Sequence, residues 1–195
     1  MNEELKIQMV WFPKQDKLPE QPDIGPEYNL REMTLEDRPG WLKLMASSGF
    51  FLDPDREARA MFKQYWSEDG RWHAVIHRSS GRISGAVFSQ AEDTALYPNA
   101  TQLFYIAVLP KDRGKALAQA MTVSQMLRAA SEAKDNVYVE TDDFRLPSIV
   151  NTLRLGFRPC LYHPGMTRRW EVICKEIGWD FKPHEWPTKG GQGTN

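Results

Sequence analysis

The chain has 195 residues, 41% hydrophobic and 26% charged, enough for one domain with a full core. Twenty-five basic residues against 26 acidic ones leave a net charge of −1, and no basic stripe is present to suggest a nucleic-acid partner. No signal peptide and no long apolar span occur, so neither secretion nor a membrane association is predicted and a cytoplasmic protein is expected. The two cysteines, Cys160 and Cys174, lie in apolar surroundings without metal-ligand spacing and read as reduced core residues.

In chain order, Ile7 to Phe12 is a short apolar run that reads as an extra edge strand. The Pro-rich stretch PKQDKLPEQPDIGP after it is a connector. Tyr28 to Met33 alternates and predicts a strand. Thr34 and Asp37 form a helix-opening pair, and Trp41, Leu42, Leu44 and Met45 supply the apolar face of the helix that follows. A second helix is predicted over Asp53 to Trp66, with Ala58, Met61, Phe62 and Tyr65 inward. Glu68-Asp69-Gly70 reads as a turn. Trp72 to His77 and Arg82 to Gln90 flank Ser79-Ser80-Gly81 as a hairpin. A loop is expected over Ala91 to Ala100.

The segment QLFYIAVLP from Gln102 is apolar, β-branched and aromatic, and Pro110 closes it as a buried strand. After KDRGKALA comes a helix with Leu117, Ala120, Met121, Ser124, Leu127 and Ala130 at helical spacing. A strand from Asn136 to Thr141, a helix from about Pro147 to Leu155 stopped by Gly156, and a strand from Phe157 to Tyr162 complete the pattern. Met166, Trp170, Ile173, Cys174 and Ile177 mark a terminal helix that Gly178 ends. The seven tryptophans, several near the C-terminus, read as packing for a small accessory element. The four histidines are scattered and predict no metal site.

The turn between Arg113 and Ala118 carries the chemistry. A helix start offers unpaired N–H groups and the positive end of the dipole, Gly114 removes a side chain, and Arg113 and Lys115 add charge, which together suit a phosphate or pyrophosphate. An ordinary helix start is the competing reading. The chain contains neither G-x-x-x-x-G-K-[ST] nor G-x-G-x-x-G, so the two best-known phosphate loops are excluded.

Arg113, Gly114, Lys115, Leu117 and Ala118 resemble the [RQ]-x-x-G-x-[GA] loop of the GCN5-related N-acetyltransferase (GNAT) superfamily. Ala116 stands where that family usually has Gly, and a helical amide is expected there. The stretch VYVETDDFRLPSIVNTLRLGF, ending in Leu155-Gly156-Phe157, is similar to the strand, helix and Gly-Phe that follow in the family. The resemblance implies an α/β fold: a mixed, mostly antiparallel sheet with splayed parallel central strands and helices on both faces. It implies an acyl-coenzyme A-binding domain over 28–163, to which the residue pattern adds an N-terminal extension over 1–27, a C-terminal helical extension over 164–188 and a disordered tail over 189–195.

The resemblance further implies acetyl-coenzyme A as cofactor, with its pyrophosphate on Arg113, Gly114, Lys115, Ala116, Leu117 and Ala118. Its pantetheine arm would replace lost ladder partners at Ile106, Ala107 and Val108. The implied reaction is direct acetyl transfer to a primary amine, in a small molecule or a peptide; the C-terminal helix could cover the cleft or pair two subunits as a homodimer. Glu140 matches the catalytic base of ribosomal-protein N-acetyltransferases; a salt-bridged strand-end carboxylate is the other reading. The family's acid, a Tyr four residues before the Gly, is here Thr152, a far weaker acid. Tyr105, Tyr138 and Tyr162 are substitutes by proximity, and a weak or inactive acyl-coenzyme A-binding module is the rival reading. Asp142 and Asp143 could meet a cationic acceptor or serve as caps and ion pairs. Asp53 and Asp55 could line the acceptor mouth or open a helix.

Overall fold

The computed structural model describes residues 5–51, 53–67, 69 and 71–188. Glu68 and Gly70 of the expected turn, the tail expected from Lys189, and residues 1–4 lie outside these. The described strands are β1 (Ile7–Trp11), β2 (Tyr28–Glu32), β3 (Trp72–His77), β4 (Arg82–Glu92), β5 (Ala100–Val108), β6 (Asn136–Thr141) and β7 (Arg158–Pro159). The α-helices are α1 (Arg38–Ala46), α2 (Pro54–Tyr65), α3 (Leu117–Ser131), α4 (Leu146–Arg154) and α5 (Met166–Ile177). The sheet order is β2-β3-β4-β5-β6-β1-β7, mostly antiparallel with one parallel pair. The chain divides into two compact units, and β5 and α3 each contribute to both.

One unit comprises Pro19–Gln90 and Leu103–Leu127. α2 begins where the sequence places it, whereas the Thr34–Asp37 pair opens a 3-10 turn over Leu35–Asp37 that runs into α1 at Arg38. The Thr34 N–H donates to Asp37 Oδ2 at 2.8 Å, and Asp53 caps α2 by accepting from the Arg56 N–H at 3.3 Å. Trp41, Leu44, Met45, Ala58, Met61 and Phe62 are buried as their spacing predicts. The core is aromatic: Trp72 stacks on Phe88 at 4.4 Å and 9°, and Trp41 and Phe62 pack beside Trp72. Gly85 lets this core close. A Cβ there would lie 2.8 Å from Met121 Cε and 2.9 Å from the Ala107 carbonyl oxygen.

The other unit comprises the chain up to Leu18, Ala91–Gln102 and the chain from Arg128 on. Here the sequence reading needs correction. β1 is no edge strand: it pairs antiparallel with β6 on one side and β7 on the other, and all five residues are buried. An unbroken apolar run, rather than an alternating one, is the mark of a strand covered on both faces. The strand expected over Phe157 to Tyr162 shrinks to Arg158–Pro159, with one further bridge from Leu161 to Thr188. Pro159 has no N–H to extend the ladder. The terminal helix forms as expected; Gly178 ends it at φ 66°, and Trp170 packs against Trp186 at 6.0 Å. Cys160 and Cys174 are free and buried. On α3 the buried arc includes Val123, Met126 and Ala129, while Ser124, Leu127 and Ala130 are only half-buried.

Candidate active site

Between β5 and α3 the backbone changes hand residue by residue. Arg113 is extended, Gly114 has φ 78°, and Ala116 has φ 55°, with Lys115 between them at negative φ. Alternation of this kind turns successive N–H groups toward one side and makes an anion-binding nest. The Ala116 carbonyl accepts the first intrahelical bond, from the Ala120 N–H at 2.9 Å, so the amides of Leu117, Ala118 and Gln119 open the helix without an intrahelical acceptor. Nothing lies within 4 Å of where a Gly114 side chain would begin. The helical amide expected at Ala116 is therefore corrected: this alanine is left-handed, the conformation that explains a preference for glycine there.

A buried carboxylate supports the loop. Asp112, 4% exposed, ends the turn before Arg113 and accepts from Arg82 Nη2 at 2.8 Å and Tyr28 Oη at 3.0 Å. Burial pushes its carboxyl up, but the hydrogen bonds from Arg82, Ser84 and Tyr28 outweigh that and hold it below the usual aspartate value. Lys115, expected to add charge at the nest, is engaged on the side of Tyr28 and Asp112. Its ammonium donates to Tyr28 Oη at 2.6 Å, lies over that ring, and reaches Asp112 at 3.9 Å. Arg113 is exposed as well, with a long bond of its Nε to the Val108 carbonyl at 3.5 Å.

On β5, Ile106 and Val108 are half-buried and Ala107 is buried. Immediately before them Tyr105 has φ 46°, an interruption in the middle of a strand. A left-handed residue inside a strand interrupts the regular alternation of side chains, in the manner of a bulge. In sequence this shows only as the pair Phe104-Tyr105, which in a regular strand would point to opposite faces.

In the other unit, Glu140 stands on β6 directly across from Gln8 on β1. Gln8 is buried. Its Nε2 donates to Glu140 Oε1 at 2.6 Å, while its Oε1 accepts from Tyr97 Oη at 2.9 Å. The hydroxyl of Tyr97 thus fixes which end of the Gln8 amide faces the carboxylate. Tyr97 stacks on Tyr138 at 4.1 Å, and burial raises both phenols well above the ordinary value, with the Glu140 charge adding to the effect. The Glu140 residue is exposed, and among the described residues no cation pairs with it. The arrangement holds one carboxylate oxygen and presents the other to solvent. Neither Gln8 nor Tyr97 stood out in the sequence, because their partners come from three distant segments.

Most of the other candidates are held by neighbouring groups. Asp142 accepts from Lys6 and from Arg145 at 3.1 Å, and Asp143 accepts from Arg169 at 2.9 Å. Asp53 caps α2 and Asp55 pairs with Arg59 at 3.0 Å. Thr152 is buried, and its hydroxyl donates to the Ser148 carbonyl at 2.9 Å within α4. Of the three tyrosines, Tyr138 donates to Gln102 at 2.9 Å and Tyr162 to the Lys6 carbonyl at 2.5 Å. Among the described residues the Tyr105 hydroxyl has no partner, and burial raises it. No group of three or more His, Cys, Asp or Glu side chains able to hold a metal occurs among the described residues, and no described helix is long and apolar enough to cross a membrane.

This architecture is the fold of the GCN5-related N-acetyltransferases. It is shared with a GCN5-related N-acetyltransferase from Sphaerobacter thermophilus (17% identity, TM-score 0.61), over 79% of this chain and 48% of that one. It is shared too with a GNAT-family acetyltransferase from Novosphingobium aromaticivorans (16%, TM-score 0.54), over 79% of this chain and 59% of that one. The ribosomal-protein-S18-alanine N-acetyltransferase of Escherichia coli has it as well (15%, TM-score 0.55), over 66% of this chain and 76% of that one. The chain thus spans about half the length of the first two of these proteins. No family model and no curated protein matches the sequence.

Proposed function

We propose that the protein is an acetyl-coenzyme A-dependent N-acetyltransferase that acetylates a primary amine by direct attack, without a covalent enzyme intermediate. The observation that carries this reading is the nest from Gly114 to Ala116 at the head of α3, on the strand-to-helix turn of an acetyltransferase fold. The residues fit the cofactor. Arg113, Gly114, Lys115, Ala116, Leu117 and Ala118 would hold the diphosphate through backbone amides and the Arg113 guanidinium. Ile106, Ala107 and Val108, just past the bulge, would supply backbone groups to the amides of the arm.

Acetyl-coenzyme A supplies the activated carbonyl. Glu140, oriented by Gln8, takes the proton that the attacking amine loses, which requires a carboxylate held in place yet open to solvent. Tyr105, with its uncommitted hydroxyl, is the residue suited to protonate the departing thiolate. The bonding of Thr152 within α4 favours a second reading, a binding module that holds the cofactor and turns over poorly.

One experiment separates them. Coenzyme A release is followed over a panel of primary amines while acetyl-coenzyme A affinity is measured by thermal shift, for the wild type and Glu140→Gln. An enzyme loses on the order of 10²-fold or more in turnover with cofactor affinity kept. A binding module stabilised by the cofactor but showing no amine-dependent release in the wild type refutes the enzymatic reading.

A further inference from the structure

The bulge at Tyr105 does more than interrupt the alternation of β5. It places consecutive residues, Phe104 and Tyr105, on one face, with both rings nearly parallel to Phe88 at 5.0 and 5.9 Å. Tyr65 from the end of α2 runs parallel to Phe104 at 6.2 Å. Phe51, from the loop before α2, leans on Tyr105 at 5.4 Å and 33°, and Phe50 meets the same ring edge-on at 5.4 Å. These five rings are neither buried nor fully exposed. They form a continuous aromatic wall, contributed by three parts of one unit, beside a core that already buries Trp72, Phe62 and Phe88.

Two features say what the wall meets. The first is its place on β5: Phe104 and Tyr105 directly precede Ile106 to Val108, and the nest follows at the other end of the same segment. On the transferase reading, the segments that would hold diphosphate and arm follow the wall along the chain, and the wall would fall at the acyl end. The second is charge. Glu57 stands on α2 four and eight residues before Met61 and Tyr65, on the helical stripe that brings Tyr65 to the wall, which sets a carboxylate at its margin; its charge also acts on the Tyr105 hydroxyl. Glu57 contacts Arg56 only at 4.0 Å and accepts from the Asp53 N–H at 3.3 Å. An aromatic surface beside a carboxylate suits a group that is flat and apolar in one part and cationic in another, and disfavours a plain acyl chain.

We propose that this wall is the acceptor subsite and that the acceptor is an arylalkylamine, its ring against Phe51, Phe104 and Tyr105 and its ammonium toward Glu57. The proposal rests on the transferase reading and narrows its substrate class. Trp66 and Trp72 lie among the same aromatics, 4.8 Å from Phe62 and 4.4 Å from Phe88, so intrinsic fluorescence reports on binding.

The test titrates phenethylamine, butylamine and glucosamine into the full chain, alone and with coenzyme A, and separately compares acetyl- with octanoyl-coenzyme A. Phenethylamine is expected to bind at least about tenfold tighter than butylamine, and Phe51→Ala to shrink that ratio below about threefold with acetyl-coenzyme A affinity unchanged. Phe51→Leu, which keeps an apolar side chain of similar bulk, should lower the ratio without unfolding the loop. Equal binding of the two simple amines overturns the proposal. So does tighter binding of glucosamine, or a preference for octanoyl-coenzyme A that Phe51→Ala removes. If acetyl-coenzyme A does not bind while the aryl preference is present, the transferase reading falls and the ring subsite stands.

Discussion

Replacing Ala116 by glycine should make the protein more stable, although it removes a methyl group and loosens the unfolded chain. At φ 55° alanine sits in the left-handed region, where the contact of Cβ with its own carbonyl oxygen costs ~1–2 kcal/mol. Glycine escapes that cost but loses more backbone entropy on folding, ~0.5–1 kcal/mol relative to alanine. The difference favours Ala116→Gly by about 0.5–1 kcal/mol, a rise of roughly 1–4 °C in melting temperature for a chain of this size. The reverse change at Gly114, φ 78°, meets no neighbouring atom within 4 Å, so Gly114→Ala isolates the conformational cost and should destabilise by about 1 kcal/mol. Urea unfolding followed by circular dichroism, with midpoints compared at unchanged slope, measures both. A midpoint for Ala116→Gly that falls or stays level refutes the reasoning and returns this residue to the helix.

Gly85→Ala should destabilise by about 1–3 kcal/mol in the same assay, because the added methyl meets the Ala107 backbone as well as the flexible end of Met121. Asp112 makes stability depend on acid. Its folded value is lowered, so its contribution is complete above about pH 4 and lost as the pH falls through the lowered value. Midpoints measured from pH 6 to pH 2.5 should therefore drop less steeply for Asp112→Asn, which starts less stable at pH 6. Gln8→Leu leaves the buried Tyr97 hydroxyl without its acceptor, at a cost of about 1–3 kcal/mol, and frees the Glu140 carboxylate. Its kcat should fall with cofactor affinity kept, and adding it to Glu140→Gln should lower kcat no further.

The parts of the fold legible in the sequence are those set by local chemistry. Thr34 with Asp37, Asp53 ahead of Pro54, and Gly178 after Ile177 each mark a helix end through groups within four residues. The hairpin of β3 and β4 follows from Ser79-Ser80-Gly81 between two strand-like runs, with Gly81 at φ 64°. The phosphate-binding turn was legible in its residue types, but not the left-handed Ala116, since alanine is equally at home in the helix that begins at the next position. The commitment of Lys115 to Tyr28 and Asp112 was hidden because those partners belong to a strand and a turn that only the folded chain brings together. For the same reason Glu140 could be named from its strand while Gln8, its hydrogen-bond donor 132 residues away, could not. The bulge at Tyr105 left no compositional trace beyond two adjacent aromatics.

The interior place of β1 has a consequence for how the chain is made. Ile7 to Trp11 leaves the ribosome before both its neighbours, β6 and β7, which are translated more than a hundred residues later. Until they emerge, a five-residue strand that is apolar except for Gln8 waits with both edges open to other nascent chains. Synthesis rate and chaperone supply should then govern yield more strongly than the finished protein's stability does.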